Sequence, residues 1–192
     1  DSPSAIENWE IGGDYEYNTE RGDRLKFLVI SNAFTRTSTR ERFDITGIDT
    51  EDKNLFLDSG STTRERIARG SYTFDMFGGS QDIEIGAERA QTILDSKLAL
   101  GVRSSEGMPS AAVGGLVPVN VSNANSTVEE IRVEPFLIHN WVFSPSMSLE
   151  TSILYEDSEI TQRGDVSKKR DFDFVKPKVD FRYDLTPAIQ LR

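Results

Sequence analysis

Cysteine is absent from the 192 residues, and histidine occurs once, at His139. No disulfide framework and no thiolate metal site is open to such a chain. It also lacks any run approaching the roughly 18 apolar residues that a membrane-crossing helix requires. A helical membrane protein is thereby excluded. A β-barrel is not, because its strands show lipid only every second residue. Basic residues are the scarcer sign, 22 Lys and Arg against 32 Asp and Glu, for a net charge of −10. A nucleic-acid partner calls for a basic stripe, so this balance argues against one. The chain opens at Asp1 without Met or a signal segment. We therefore expect a processed chain or an excised section.

What the sequence does have is alternation. From Val175 to Tyr183 every odd position is apolar or aromatic, and from Lys176 to Asp184 every even position is charged. Side chains alternate faces along a strand, so this segment has one apolar face and one charged face. The pattern predicts strands near residues 8–18, from 24, 64–77, 83–100, 128–143, from 147, 174–184 and from 189. Gly-bearing or short polar turns fall at 19–23, 78–80, 144–146 and Thr186-Pro187. Polar stretches at 37–63, 102–126 and 162–170 read as longer loops. Ala111 to Val119 is apolar for a loop and is expected to meet another strand rather than a ligand.

The expected fold is all-β, an antiparallel meander of about eight strands. Residues 1–192 form a single unit, part of a transmembrane β-barrel with short periplasmic turns and long extracellular loops. The register then assigns Asp14, Glu16, Arg24, Lys26, Glu84, Glu134, Lys176, Lys178, Asp180 and Arg182 to the lumen, for plug or solute contact. Tyr15, Tyr17, Phe27, Tyr72, Phe74, Trp141, Phe143, Phe181 and Tyr183 fall on the opposite register, close to the short turns. Amphipathic rings favour the membrane boundary, so these nine are expected to form a girdle in outer-membrane lipid. Leu28, Ile30, Phe136, Ile138 and Leu154 sit awkwardly on the charged register. Pro135 and Pro177 interrupt strands, where we expect a bulge or a weak spot. The same alternation also fits a soluble β-sandwich binding module.

Several segments resemble the barrel of TonB-dependent outer-membrane receptors. They are Asp14-Tyr15-Glu16-Tyr17 with Gly22 to Lys26, Thr39 to Asp44, Arg66 to Tyr72, Val128 to Arg132, and Asp184 to Pro187. The resemblance implies energy-coupled uptake of a scarce ligand (iron chelate, haem, cobalamin or glycan) across the outer membrane of Gram-negative bacteria. It also implies the protein's own plug domain and, through it, TonB as partners. About eight strands against roughly 22 in a plugged transporter barrel imply a section of the wall. The edge strands of such a section are expected to self-associate. Another outer-membrane barrel, a passive channel or a lipid-acting enzyme, is the alternative.

No enzymatic chemistry and no cofactor are expected. His139 falls on the lipid-facing register near Ser144, but Ser144 sits in the turn and no acid faces His139 in that register to complete a triad. Asp49 to Asn54 offers oxygen ligands, yet it lacks the glycine and distal glutamate of a calcium loop, so it reads as solvated loop.

Overall fold

The computed structural model describes residues 2–48, 50–186 and 188–192. The strands are β1 Ser4–Asn18, β2 Arg24–Gly47, β3 Thr50–Met76, β4 Gln81–Val102, β5 Val117–Val119, β6 Ser126–Ser144, β7 Met147–Gly164, β8 Lys168–Thr186 and β9 Ile189–Leu191. They form one nine-stranded antiparallel sheet in the order β1-β2-β3-β4-β6-β7-β8-β9, with β5 pairing on β4. Among the described residues there is a single sheet and it is open, so the chain builds a meander and not a two-layer sandwich. No described side chain is fully buried, and the buried apolar residues are only Ala90, Val113 and Leu116.

Two expected loops are strand instead. Residues 37–63 belong almost entirely to β2 and β3, joined by a short link from Gly47 to Thr50. The alternation that reveals a strand needs one face to be dry, and here both faces are polar. Threonine favours the pleated surface nonetheless, and polar cross-strand pairs replace apolar ones. Thr35 Oγ1 lies 3.2 Å from Thr62 Oγ1, and Thr39 Oγ1 donates to Asp58 at 2.7 Å. For the same reason 162–170 shortens to a link at 165–167. The segment 103–125 remains a long connection. Within it, Val117–Val119 meets another strand as expected, pairing with Leu100–Val102. Val113 and Leu116 close over Gly101, where an added Cβ would meet Val113 at 2.8 Å.

Pro135 and Pro177 cause no bulge. Both keep register, opposite Ala87 and Ile153. Antiparallel pairing leaves every second N–H turned away from a given neighbour, so a prolyl nitrogen there removes no bond from that ladder. A gap does occur beside Pro135, where β6–β7 pairing passes from Val133↔Asp157 to Phe136↔Leu154. The irregularities lie elsewhere, at Arg42/Phe43, Ile45/Gly47, Val142/Ser144 and Asp184/Thr186. Pro187, part of the expected last turn, lies outside the described residues, as does Asp49.

The turns at one end of the sheet are staggered. One row across it runs Tyr17, Leu25, Tyr72, Ile85, Leu137, Ile153, Pro177. Beyond that row the successive ladders close at Asn18, Met76, Met147 and Thr186. The offset grows by roughly eight residues of ~3.4 Å across about six strand spacings of ~4.8 Å, an inclination of about 43°.

Gly86 is the tightest point of the interior of the sheet. A Cβ there would stand 2.5 Å from the Gly70 carbonyl oxygen and 2.5 Å from the Phe136 ring. The carbonyl belongs to the ladder and has no room to retreat. Gly86→Ala is expected to destabilise the protein by about 1–3 kcal/mol, whereas Gly13→Ala, with nothing within 4 Å, is expected to be neutral. Denaturant unfolding of the two variants side by side checks this.

Candidate functional site

Residues opposite one another in an antiparallel ladder point to the same side, so the register sorts every strand into two faces. The ten residues assigned to the lumen fall on one face, which we call the charged face. Eight of the nine girdle aromatics fall on the other, the apolar face. Phe143 sits at the irregularity in β6, and its ring lies against Trp141 with centroids 4.1 Å apart.

On the charged face a single chain of ion pairs crosses five strands. Arg69 lies 3.9 Å from Glu84 and 3.7 Å from Glu88. Arg132 lies 3.6 Å from Glu88 and 3.2 Å from Glu134. Lys176 lies 3.8 Å from Glu134 and pairs closely with Glu156. Each cation thus stands between two carboxylates. The arrangement is required by the register, because Glu88 and Glu134 are directly opposite each other, and unbridged like charges there would repel. Further along, Glu16 pairs with Lys26 at 3.3 Å and Glu150 with Lys178 at 3.0 Å. Arg182 binds Asp184 at 2.7 Å, and Asp180 meets Arg192 at 3.6 Å. The Arg24 Nε is buried without an acceptor.

Glu84, Glu134 and Lys176 of the chain were legible from alternation. Arg69, Glu88, Arg132 and Glu156 were not singled out, although each continues the same even or odd register. The misfit apolar residues do lie on the charged face. Phe136 supports the network there, with the Arg69 guanidinium 4.5 Å from its ring centre. A hollow of about 330 Å³ opens nearby between Asp14, Glu16, Lys26, Arg69 and Glu84.

The apolar face carries a belt. From the staggered turns upward it shows no Asp, Glu, Lys or Arg until Glu7 on β1, Arg66 on β3, Arg89 on β4, Glu129 on β6, Asp157 on β7 and Asp173 on β8. Exposure is inverted relative to a protein that folds around an apolar core. Outward Val179 is 70% exposed, while the side chains of Glu134 and Glu156 are 13% and 12% exposed. Above the belt charges resume, and some of them are paired. Lys169 Nζ lies 2.7 Å from Glu159; this hydrogen bond holds the Glu159 carboxyl below its ordinary range and the Lys169 ammonium above its own, against a smaller opposing effect of desolvation.

His139 is on the apolar face, its Nε2 2.9 Å from Gln81 Oε1. The Ser144 hydroxyl instead meets Ser146 at 3.2 Å, so the structure does not join His139 and Ser144 into a nucleophilic pair. Of the oxygen-rich segment 50–54, Asp52 pairs with Arg103 at 3.4 Å, and Asn54 binds Asp44 and Arg42. These residues are strand with committed partners rather than solvated loop.

No family profile and no curated protein matches the chain.

Proposed function

We propose that this chain is a wall section of an outer-membrane β-barrel of the TonB-dependent receptor kind, taking part in energy-coupled uptake of a scarce ligand. The observation that carries the membrane assignment is the uncharged belt. On every strand but β2, where it runs on to Glu41, it rises roughly eight to fourteen residues from the turn, around the length a tilted strand needs to cross the ~25 Å apolar zone of an outer membrane. Two features support it. The stagger of about 43° is what barrel strands tilted at 35–45° require if their turns lie at one level. And β1 offers a long exposed edge with Trp9, Ile11 and Tyr15 in the open, which a soluble sheet avoids and a neighbouring barrel strand satisfies.

In this arrangement the charged face lines a wet interior, where its ion-pair chain keeps the wall hydrated and meets the plug. The assignment to energy-coupled receptors rests on the sequence resemblance of the strands and turns. The ligand would be selected by the plug and the outer loops.

The experiment uses the refolded full-length protein that carries this chain, with Trp9→Phe and every other tryptophan except Trp141 replaced. Brominated phospholipid is expected to quench Trp141 strongly. A folded protein whose Trp141 ignores brominated lipid overturns the membrane assignment. A second arm separates the transport classes: uptake that stops when TonB is deleted supports a receptor, and unchanged uptake assigns a passive channel.

A further inference from the structure

The apolar face carries two hollows that share strands β3 and β4, the lower one reaching β2 and the upper one β6 and β7. The lower one, within the belt, is an open groove of about 510 Å³. Gly70 lines it together with Phe27, Tyr72 and Ile85, the Phe27 ring 3.2 Å from where a Gly70 Cβ would stand. The upper one lies above the belt and is a polar cavity of about 650 Å³. Arg64, Lys97 and Arg163 border it, with hydroxyls from Thr62 and Thr127. Between the two, Arg66 and Arg89 project from diagonal positions, since Arg66 is opposite Gln91 and Ala68 is opposite Arg89. Beneath them come only the small Ala68 and Ala87, so nothing separates the arginines from the groove.

Charge in this region is unbalanced. Asp95 is occupied by Arg64 and by Thr127 at 2.6 Å, and Glu129 is held by Gln91 at 2.6 Å. Arg66, Arg89, Lys97 and Arg163 are all exposed. Among the described residues none of these four side chains makes an ion pair or hydrogen bond. The Arg64 Nε is buried with no acceptor. Unpaired guanidinium groups at the edge of an apolar belt match a phosphate at the headgroup level, which they bind with two parallel donors.

We propose that this surface holds one phosphorylated membrane lipid, with an acyl chain in the Gly70 groove, phosphate on Arg66 and Arg89, and the polar headgroup in the upper cavity. The inference rests on the membrane assignment above. Its dimensions agree: Gly70 to Arg66 is four residues, roughly 13 Å along the strand, well within one acyl chain. A soluble anion would have no use for the groove.

The test places the full-length protein in nanodiscs of neutral phosphatidylcholine doped with either diphosphoryl or dephosphorylated lipid A, and native mass spectrometry counts the lipid retained. The phosphorylated form is expected to be retained selectively, less so as salt rises. Arg66→Gln with Arg89→Gln is expected to weaken retention on the order of tenfold or more. Ala87→Trp, which lays an indole across the groove without changing charge, is expected to weaken it as well. Equal retention of the two lipids, or no loss in the double variant, overturns the proposal while leaving the membrane assignment intact. Displacement by inorganic phosphate with no effect of Ala87→Trp makes this a site for soluble anions, and the lipid claim falls. Failure to enter nanodiscs sinks both.

Discussion

Replacing Val179 by arginine is expected to destabilise the full-length protein by about 2–4 kcal/mol in a bilayer. In water almost no effect would be expected. Val179 is 70% exposed, and exposed substitutions away from special features usually fall within ~0.5 kcal/mol. The penalty arises only if hydrocarbon covers this position, because a guanidinium then loses its water near the middle of the belt, between Tyr183 at the turn and Asp173 above. Lys178, the residue before it, supplies the control. It points to the other face and is paired with Glu150 at 3.0 Å in the open, so Lys178→Thr is expected to change stability by less than about 1 kcal/mol. Denaturant unfolding in phosphatidylcholine bilayers reads both. A Val179→Arg shift below about 0.5 kcal/mol would falsify the belt as a lipid-facing surface.

The two-faced character of the sheet was legible because period-two alternation maps directly onto the pleat. Tyr15 opposite Phe27 and Glu16 opposite Lys26 need no knowledge of tertiary structure beyond adjacency. What alternation could not show is strand that is wet on both sides. Residues 37–47 and 50–63 carry polar or charged side chains on both registers, so their polarity looked like loop, although Thr-Ser-Thr with scattered Phe43, Leu55 and Phe56 was a strand signal by propensity. The ion-pair chain was hidden for a different reason. Glu88, Glu134 and Glu156 are far apart in sequence, and only the exact pairing of β4 with β6, β6 with β7 and β7 with β8 puts Arg132 and Lys176 between them. Alternation gives the face of a residue but not its neighbour across the strand. The basic patch was hidden likewise, since Arg66 and Arg89 belong to different hairpin arms and meet only in the β3–β4 register.

That dependence on register makes Arg132 the most consequential charge of the inner network. Arg132→Met is expected to destabilise the protein by about 2–3 kcal/mol. Glu88 and Glu134 would then face each other across the β4–β6 ladder, with side chains only 19% and 13% exposed. Neither would be wholly abandoned, because Arg69 stays 3.7 Å from Glu88 and Lys176 stays 3.8 Å from Glu134. Those longer contacts are why the expected loss falls below that for an isolated buried charge. The lost packing of a long side chain does not explain it, since methionine keeps most of the stem. Adding Glu134→Gln to Arg132→Met removes the repulsion and keeps the shape, and is expected to recover more than half of the loss. A double-mutant cycle over these two positions should therefore show a coupling of at least about 1 kcal/mol. If the two effects simply add, the carboxylates do not depend on Arg132, and the chain of ion pairs is an arrangement of independent, solvated charges.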